Sequence, residues 1–346
     1  MAERAANISI DITDRCQMHC NTCTKWKVSD EVEKRELNTS QWKDILYQIR
    51  NWCGEGTSVT FAGGEPFLRK DIFDLFFYGH SLGLVMAVVT NGYNLAEYTD
   101  EIVKSKLKRL NISLNSIKDP SIHDKSRGTH GCCKKVCELI KNVMERKAKD
   151  KPNLDAIIAT TILPENLDEI EEIIKFAKDR NMEQIVFQLI EDSLYFHPFG
   201  EVKAINTEKQ KDSDKYLSII SKMSEKAVKV ITKIEKLKDE GYPIYNSHEQ
   251  LNLYKLFLTD REKAVSITKC TVGDTNFSID PYGNVRLCYN MAPIGSILEK
   301  TPNELWFSDE ADKCREKIEK CHLSCRLMNC NYRNKHELSD VKGNIK

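Results

Sequence analysis

The 346-residue sequence predicts an α/β fold: a partial (β/α)6 barrel of the TIM type, followed by a small cysteine-rich domain. Three observations carry that expectation. Short β-branched runs alternate with amphipathic helical stretches six times, the pattern of a parallel sheet with helices outside. The chemically distinctive residues of the first half fall at the C-terminal ends of those runs, the face on which barrel enzymes build their sites. That placement favours a barrel over a doubly wound sheet. Six of the thirteen cysteines lie between Cys270 and Cys330, well away from the βα repeats.

The expected strands, in chain order, are residues 8–12, 58–62, 85–90, 109–114, 155–162 and 184–190. The first is Ile8-Ser9-Ile10-Asp11-Ile12, a strict period-two alternation. Helical periodicity covers residues 40–52, 70–81, 95–105, 131–149 and 166–180. Ser40 after Thr39, and Asn166 ahead of Asp168 and Glu169, read as helix entries. From Thr207 to Glu240 the chain is highly charged. Tyr216, Ile220, Met223, Ala227, Val230, Ile234 and Leu237 alternate spacings of four and three, a narrow apolar stripe on one long helix. Three heptads without a repeat elsewhere favour packing on the barrel over a coiled-coil partner. Gly241-Tyr242-Pro243 ends the helix. Asp280-Pro281-Tyr282-Gly283-Asn284 is turn chemistry between two apolar runs, so a β-hairpin with Cys270 and Cys288 at its bases follows. The expected units are 1–205, the barrel; 206–262, the long helix and its connection; and 263–346, the cysteine-rich domain.

Composition narrows the function. Lys+Arg and Asp+Glu both number 52, so nothing in the net charge drives binding to nucleic acid or an anionic membrane. The chain opens into its first strand without a charged n-region and an apolar h-region. No stretch approaches the roughly 20 apolar residues that span a bilayer. Thirteen cysteines without an export signal read as metal or redox chemistry in a reducing cytosol, so a cytoplasmic location is expected.

Cys16, Cys20 and Cys23 stand at C-x3-C-x2-C spacing on the loop leaving the first strand. Three thiolates there can hold three irons of a [4Fe–4S] cube, leaving the fourth open to a chelating ligand. A zinc knuckle competes, with His19 as fourth ligand. His19 lies between two of the cysteines, where it is poorly placed to close a tetrahedron. Gly63-Gly64-Glu65-Pro66 follows the second strand.

These two features together resemble the signature of the radical S-adenosylmethionine (SAM) superfamily. The resemblance implies that SAM chelates the open iron and is cleaved reductively to a 5′-deoxyadenosyl radical. It also implies a reductant such as flavodoxin or ferredoxin, and sensitivity to oxygen. By the same resemblance, Gly63, Gly64, Glu65 and Pro66 receive the SAM amino group. Asn91, in Thr90-Asn91-Gly92, and Ser113 match ribose- and carboxylate-facing positions, and Arg127 matches the arginine that pairs with the SAM carboxylate. Two positions depart from the pattern. Thr22 replaces the aromatic that usually precedes the third cysteine, and Ser113-Leu114-Asn115-Ser116 replaces the usual Ser-x-Asp-Gly.

Cys270, Gly283-x4-Cys288, Cys321, Cys325 and Cys330 resemble the SPASM or twitch extension of such enzymes, which binds auxiliary iron–sulfur clusters. Five cysteines suit one auxiliary [4Fe–4S] cluster and leave one of Cys321, Cys325 and Cys330 spare, a candidate hydrogen donor to a substrate radical. A zinc ribbon-like hairpin is the alternative. Cys53, Cys133, Cys137 and Cys314 read as buried structural thiols.

The substrate is expected to be a small molecule or glycoside that is oxidised, deoxygenated or epimerised. The seven residues before Ile8 leave no room for the recognition domain that peptide-modifying relatives often carry. A ribosomal peptide or protein is the alternative. Glu191, Asp192, Tyr195 and His197 follow the sixth strand and are candidates to line the pocket. A non-catalytic iron–sulfur electron carrier has no use for Gly63-Gly64-Glu65-Pro66 with Arg127.

Overall fold

The computed structural model describes residues 4–23, 25–27, 35–189 and 225–327. Six parallel strands form the framework: β1 (Asn7–Thr13), β2 (Ser58–Gly63), β3 (Val85–Thr90), β4 (Arg109–Ser113), β5 (Asp155–Ile162) and β6 (Gln184–Leu189). Each pairs with the next, and β6 does not return to β1, so the sheet is an open, partial barrel. The longer helices are α1 (Thr39–Cys53), α2 (Ile72–Ser81), α3 (Thr99–Lys104), α4 (Pro120–Arg127), α5 (Cys132–Asp150) and α6 (Ile170–Asp179).

Alternation decides which face is packed. Ile8, Ile10 and Ile12 of β1, Phe61 of β2, Val88 of β3 and Ile112 of β4 are fully or almost fully buried. They meet Leu46 and Ile49 of α1, Phe76 of α2, Leu139 of α5 and Ile173 of α6 in one core. Each such side chain contributes about 1.5–3 kcal/mol by leaving water. The opposite, inner face is polar. Strand register carries Ser9 beside Thr60, Thr60 beside Ala87, and Ala87 beside Arg109. Higher up stand Asn111, Ser113, Thr161 and Gln188. Val89, in the middle of the sheet, is 37% exposed, so this face lies open.

Two helix entries differ from expectation. Asn38, not Ser40, caps α1: its side chain accepts the Gln41 N–H while the Gln41 side chain accepts that of Asn38. This reciprocal pair satisfies two amides that the helix leaves open. Asn166 does not cap α6. It is wholly buried, and its amide group ties Leu163 N, Asn115 O and Thr161 O together at 2.8–2.9 Å.

Of the expected long helix, residues 225–239 are described as α7. Ala227, Ile234 and Leu237 are buried and Val230 is partly buried against the main core, so this part of the stripe packs there; Tyr216, Ile220 and Met223 lie outside the described residues. The connection behind it covers the free edge of β6. Ile185 N–H donates to Pro243 O, Tyr245 N–H donates to Ile185 O, and the Asn246 amide bonds both backbone groups of Phe187. An edge closed this way offers no unpaired ladder to another chain.

After α8 (His248–Thr259), α9 (Arg261–Ser266) and α10 (Val272–Thr275) comes the expected hairpin, β7 (Asn276–Ile279) and β8 (Asn284–Arg286). It does not stand apart. β7 pairs in parallel with β1, and β9 (Gly295–Ser296) follows β8, so one nine-stranded sheet joins both halves of the chain. α11 (Pro302–Trp306) and α12 (Asp309–Glu319) pack behind it.

Candidate active site

The loop leaving β1 is clamped on both sides by backbone. Gly64 N–H donates to Thr13 O and Glu65 N–H to Arg15 O, each at 2.7 Å. A Cβ on Gly63 would lie 2.3 Å from Thr13 O, and one on Gly64 2.0 Å from Arg15 O. Only glycine permits this approach. On the other flank, His19 N–H donates to Arg127 O and Asn21 N–H to Ser126 O, both at 3.2 Å. There Gly128, at φ 61°, ends α4 in the left-handed region, and a Cβ would stand 2.3 Å from His19 O. Asp124 fixes this turn by accepting the Gly131 and Cys133 N–H groups at 2.6 and 2.9 Å.

Between the clamps the three cysteines converge. Cys16, Cys20 and Cys23 are free thiols, and with Met18, Cys132 and Tyr93 they form a cluster separate from the main core. Burial pushes the Cys16 thiol up to about 12, and the neighbouring Glu65, Cys20 and Cys23 add to the shift. Burial also raises Cys23, as does the charge of Cys20. Cys20 is buried and its two companions are half-buried, a setting that suits a cationic centre able to deprotonate all three. The donor set, thiolates on a strand-end loop, fits a [4Fe–4S] cube with one open corner.

Polar groups surround the trio. Glu65 is buried; its carboxylate accepts Thr90 Oγ1–H and Asn91 N–H at 2.8 Å and Phe67 N–H at 3.2 Å. Burial nevertheless lifts its pKa to about 7, against those bonds and the Arg127 charge. Asn91 Nδ2 lies 3.7 Å from Cys16 Sγ. Arg127 Nη1 lies 4.0 Å from Cys20 Sγ, and its Nε is buried with no hydrogen-bond partner. A buried donor left open fits an incoming anionic group. Ser113 ends β4 on the inner face. Asn115 is committed to structure: its N–H donates to His123 Nδ1 and its side chain bonds Ser126 Oγ and Thr161 N. Burial drives the His123 pKa down to about 3, so the ring stays neutral as an acceptor.

The sequence reading missed Tyr93, which brings an aromatic ring to the cysteines, and Lys25. Lys25 is held by Asp11 and Asp14 at 2.8 and 2.7 Å. Burial opposes its charge, but those two carboxylates hold its pKa above the ordinary range. The period-two alternation could have flagged Asp11, a charge on a strand otherwise apolar and small.

The C-terminal cysteines also come together. Cys270, Cys288, Cys321 and Cys325 line one cavity of about 260 Å³ with Tyr289 and Arg326. Burial pushes Cys288 up to about 12, with Cys270, Cys314 and Cys321 nearby. Cys314 is buried on α12, its sulfur 3.6 Å from Met291 Sδ. Cys53 and Cys133 are buried, and Cys137 is half-buried. Cys330, Glu191, Asp192, Tyr195 and His197 lie outside the described residues. Tyr289 Oη stands 3.0 Å from Ser9 Oγ, and Tyr282 O–H donates to Asp14 at 3.0 Å, so the hairpin touches the inner face of β1.

Residues 10–177 match the family model of the radical SAM superfamily, and residues 270–331 match that of SPASM, an iron–sulfur cluster-binding domain. The chain carries a radical SAM domain and a SPASM domain. It is thus a radical SAM enzyme, whose cofactors are a [4Fe–4S] cluster with SAM and, in the SPASM part, auxiliary iron–sulfur clusters. Among similar proteins are the GTP 3′,8-cyclases of Campylobacter jejuni subsp. doylei and Clostridium perfringens. The first is 26% identical over 249 residues, 70% of this chain and 72% of the relative; the second is 28% identical over 200 residues, 57% of each. Among solved structures, Streptococcus suis SuiB bound to S-adenosylmethionine superposes with a TM-score of 0.60 at 15% identity. The match covers 89% of this chain but 64% of SuiB. The structure of anSMEcpe with bound AdoMet and the Cp18Cys peptide gives 0.58 at 15% identity, over 93% and 87%. These structural likenesses support the fold. Among the described residues no helix is long and apolar enough to cross a membrane.

Proposed function

We propose that Cys16, Cys20 and Cys23 hold the SAM-binding cluster and that the chain removes a hydrogen atom from a small, hydroxylated organic substrate on the inner face of the sheet. The observation that carries the first part is the double clamp: the three thiols sit between the Gly63-Gly64 backbone and the turn ending at Arg127. When bound, the cluster supplies the electron that cleaves SAM to methionine and a 5′-deoxyadenosyl radical. Gly63, Gly64, Glu65 and Pro66 receive the SAM amino group, with the Glu65 carboxylate as counter-charge. Asn91 and Ser113 face the ribose and carboxylate. Arg127 offers its open N–H groups to the carboxylate, a charge-assisted contact. Tyr93 takes the aromatic place that Thr22 leaves vacant. Cys270 and Cys288, with two of Cys321, Cys325 and Cys330, hold one auxiliary cluster.

The row of hydroxyl and amide side chains from Ser9 to Gln188 supports a small polar substrate, as does the nucleotide named for the cyclase relatives. A peptide substrate is the second reading, favoured by the peptide bound to anSMEcpe. Anaerobically reconstituted, reduced protein should form 5′-deoxyadenosine from SAM. Replacing Cys16, Cys20 and Cys23 with Ala should abolish this and leave the auxiliary iron in place; undiminished cleavage sinks the assignment. Stimulation by a small-metabolite fraction supports the first substrate reading, and stimulation by peptides only would replace it with the second.

A further inference from the structure

We propose that Lys25 is a positioning residue that sets the reduction potential of the cluster at Cys16, Cys20 and Cys23. It does so as the cation held between two carboxylates next to the loop that carries Cys23. The inference rests on the assignment of those three cysteines. Lys25 is tied to the site twice. Its backbone N–H donates to Cys23 Sγ at 3.4 Å. Its Nζ reaches Asp11 Oδ2 on the inner face of β1 at 2.8 Å and Asp14 Oδ1 at the strand end at 2.7 Å. The three side chains are 11%, 7% and 4% exposed, so water screens them little.

The Asp14 carboxylate is itself held: its Oδ2 accepts the Tyr282 hydroxyl of the β7–β8 turn, and the Asp14 backbone N–H donates to Glu36. The ammonium therefore cannot drift from the cysteine loop without breaking contacts that also involve the C-terminal hairpin. An iron–sulfur cluster's potential follows the net charge around it and the hydrogen bonds to its sulfurs. Lys25 supplies one of each, and Asp11 and Asp14 supply opposing charge. Reduction adds an electron, so a missing cation should lower the potential and a missing carboxylate should raise it.

The test is an EPR-monitored redox titration of the reconstituted full chain, comparing wild type with Lys25→Met, Lys25→Arg, Asp14→Asn and Asp11→Asn. The triple Cys16/Cys20/Cys23→Ala variant identifies which signal belongs to this cluster. A signal that persists there overturns the site assignment instead. Expected are a lower potential in Lys25→Met, a near-native one in Lys25→Arg, and higher ones in both aspartate variants. The auxiliary cluster's potential should barely move. Should Lys25→Met fail to load iron, the aspartate variants decide alone. An unmoved or lowered potential in both overturns the inference, as does an equal shift of both clusters.

Discussion

Glu65 is held in a conflict that its neighbours only partly relieve. Three donors stabilise its ionised form, yet complete burial outweighs them and lifts the pKa to about 7 from an ordinary 4.5. The folded chain therefore keeps a proton here over an interval in which the unfolded chain has lost it. That contribution to stability is fully present below about pH 4.5 and is lost as pH rises through about 7. The cofactor-free protein should lose stability between about pH 5 and pH 8, and Glu65→Gln should lose less over the same span. Denaturant midpoints at the two pH values measure the difference; equal losses in both proteins refute this reading of Glu65. Glu65→Ala is a harsher change, since it strands the Thr90 and Asn91 donors at about 1–3 kcal/mol.

At the scale of elements, the cysteine loop owes its shape to neighbours distant in sequence. Gly64 and Gly128 admit it from two sides, and a methyl group at either meets a carbonyl oxygen well inside contact distance. Gly128→Ala carries a second penalty, the left-handed backbone, worth about 1–2 kcal/mol by itself. Both alanine variants should lower the denaturation midpoint and load less iron at the first site than at the second. Full iron at both sites would show that the clamp is dispensable. The same scale explains the misplaced helix entries. Ser40 and Asn166 are chemically suitable caps, but Asn38 with Gln41 forms the reciprocal pair, and Asn166 is needed to join the ends of β4 and β5.

At the scale of the whole molecule both cysteine sets are tied to β1: the first stands on the loop leaving it, and the second flanks the hairpin whose β7 pairs with it. Because β7 pairs with β1, the second set cannot move independently of the strand that feeds the first. Cys270 and Cys288 line the C-terminal cavity with Cys321 and Cys325, so alanine at Cys270 or Cys288 should remove about four irons per chain. SAM cleavage at the first site should survive these changes. Of Cys321, Cys325 and Cys330 one is spare for a four-ligand cluster, and only its alanine variant should keep that iron. Iron analysis of the five single variants checks this, and loss of the auxiliary iron in all three of these would overturn the single spare thiol.

Period-two alternation and helical periodicity sufficed for six strands and their helices, because a sheet packed on one side imposes those periods on the residues themselves. The cysteine spacing and Gly63-Gly64-Glu65-Pro66 were equally legible, since a cluster ligand or a close backbone approach admits few residue types. The SPASM hairpin could be read from its turn residues. Only the tertiary structure joined that hairpin to β1, brought Tyr93 to the cysteines and set Lys25 between Asp11 and Asp14. Those contacts link residues whose spacing in the chain carries no period, and a buried ion pair looks like any surface charge until the fold removes its water.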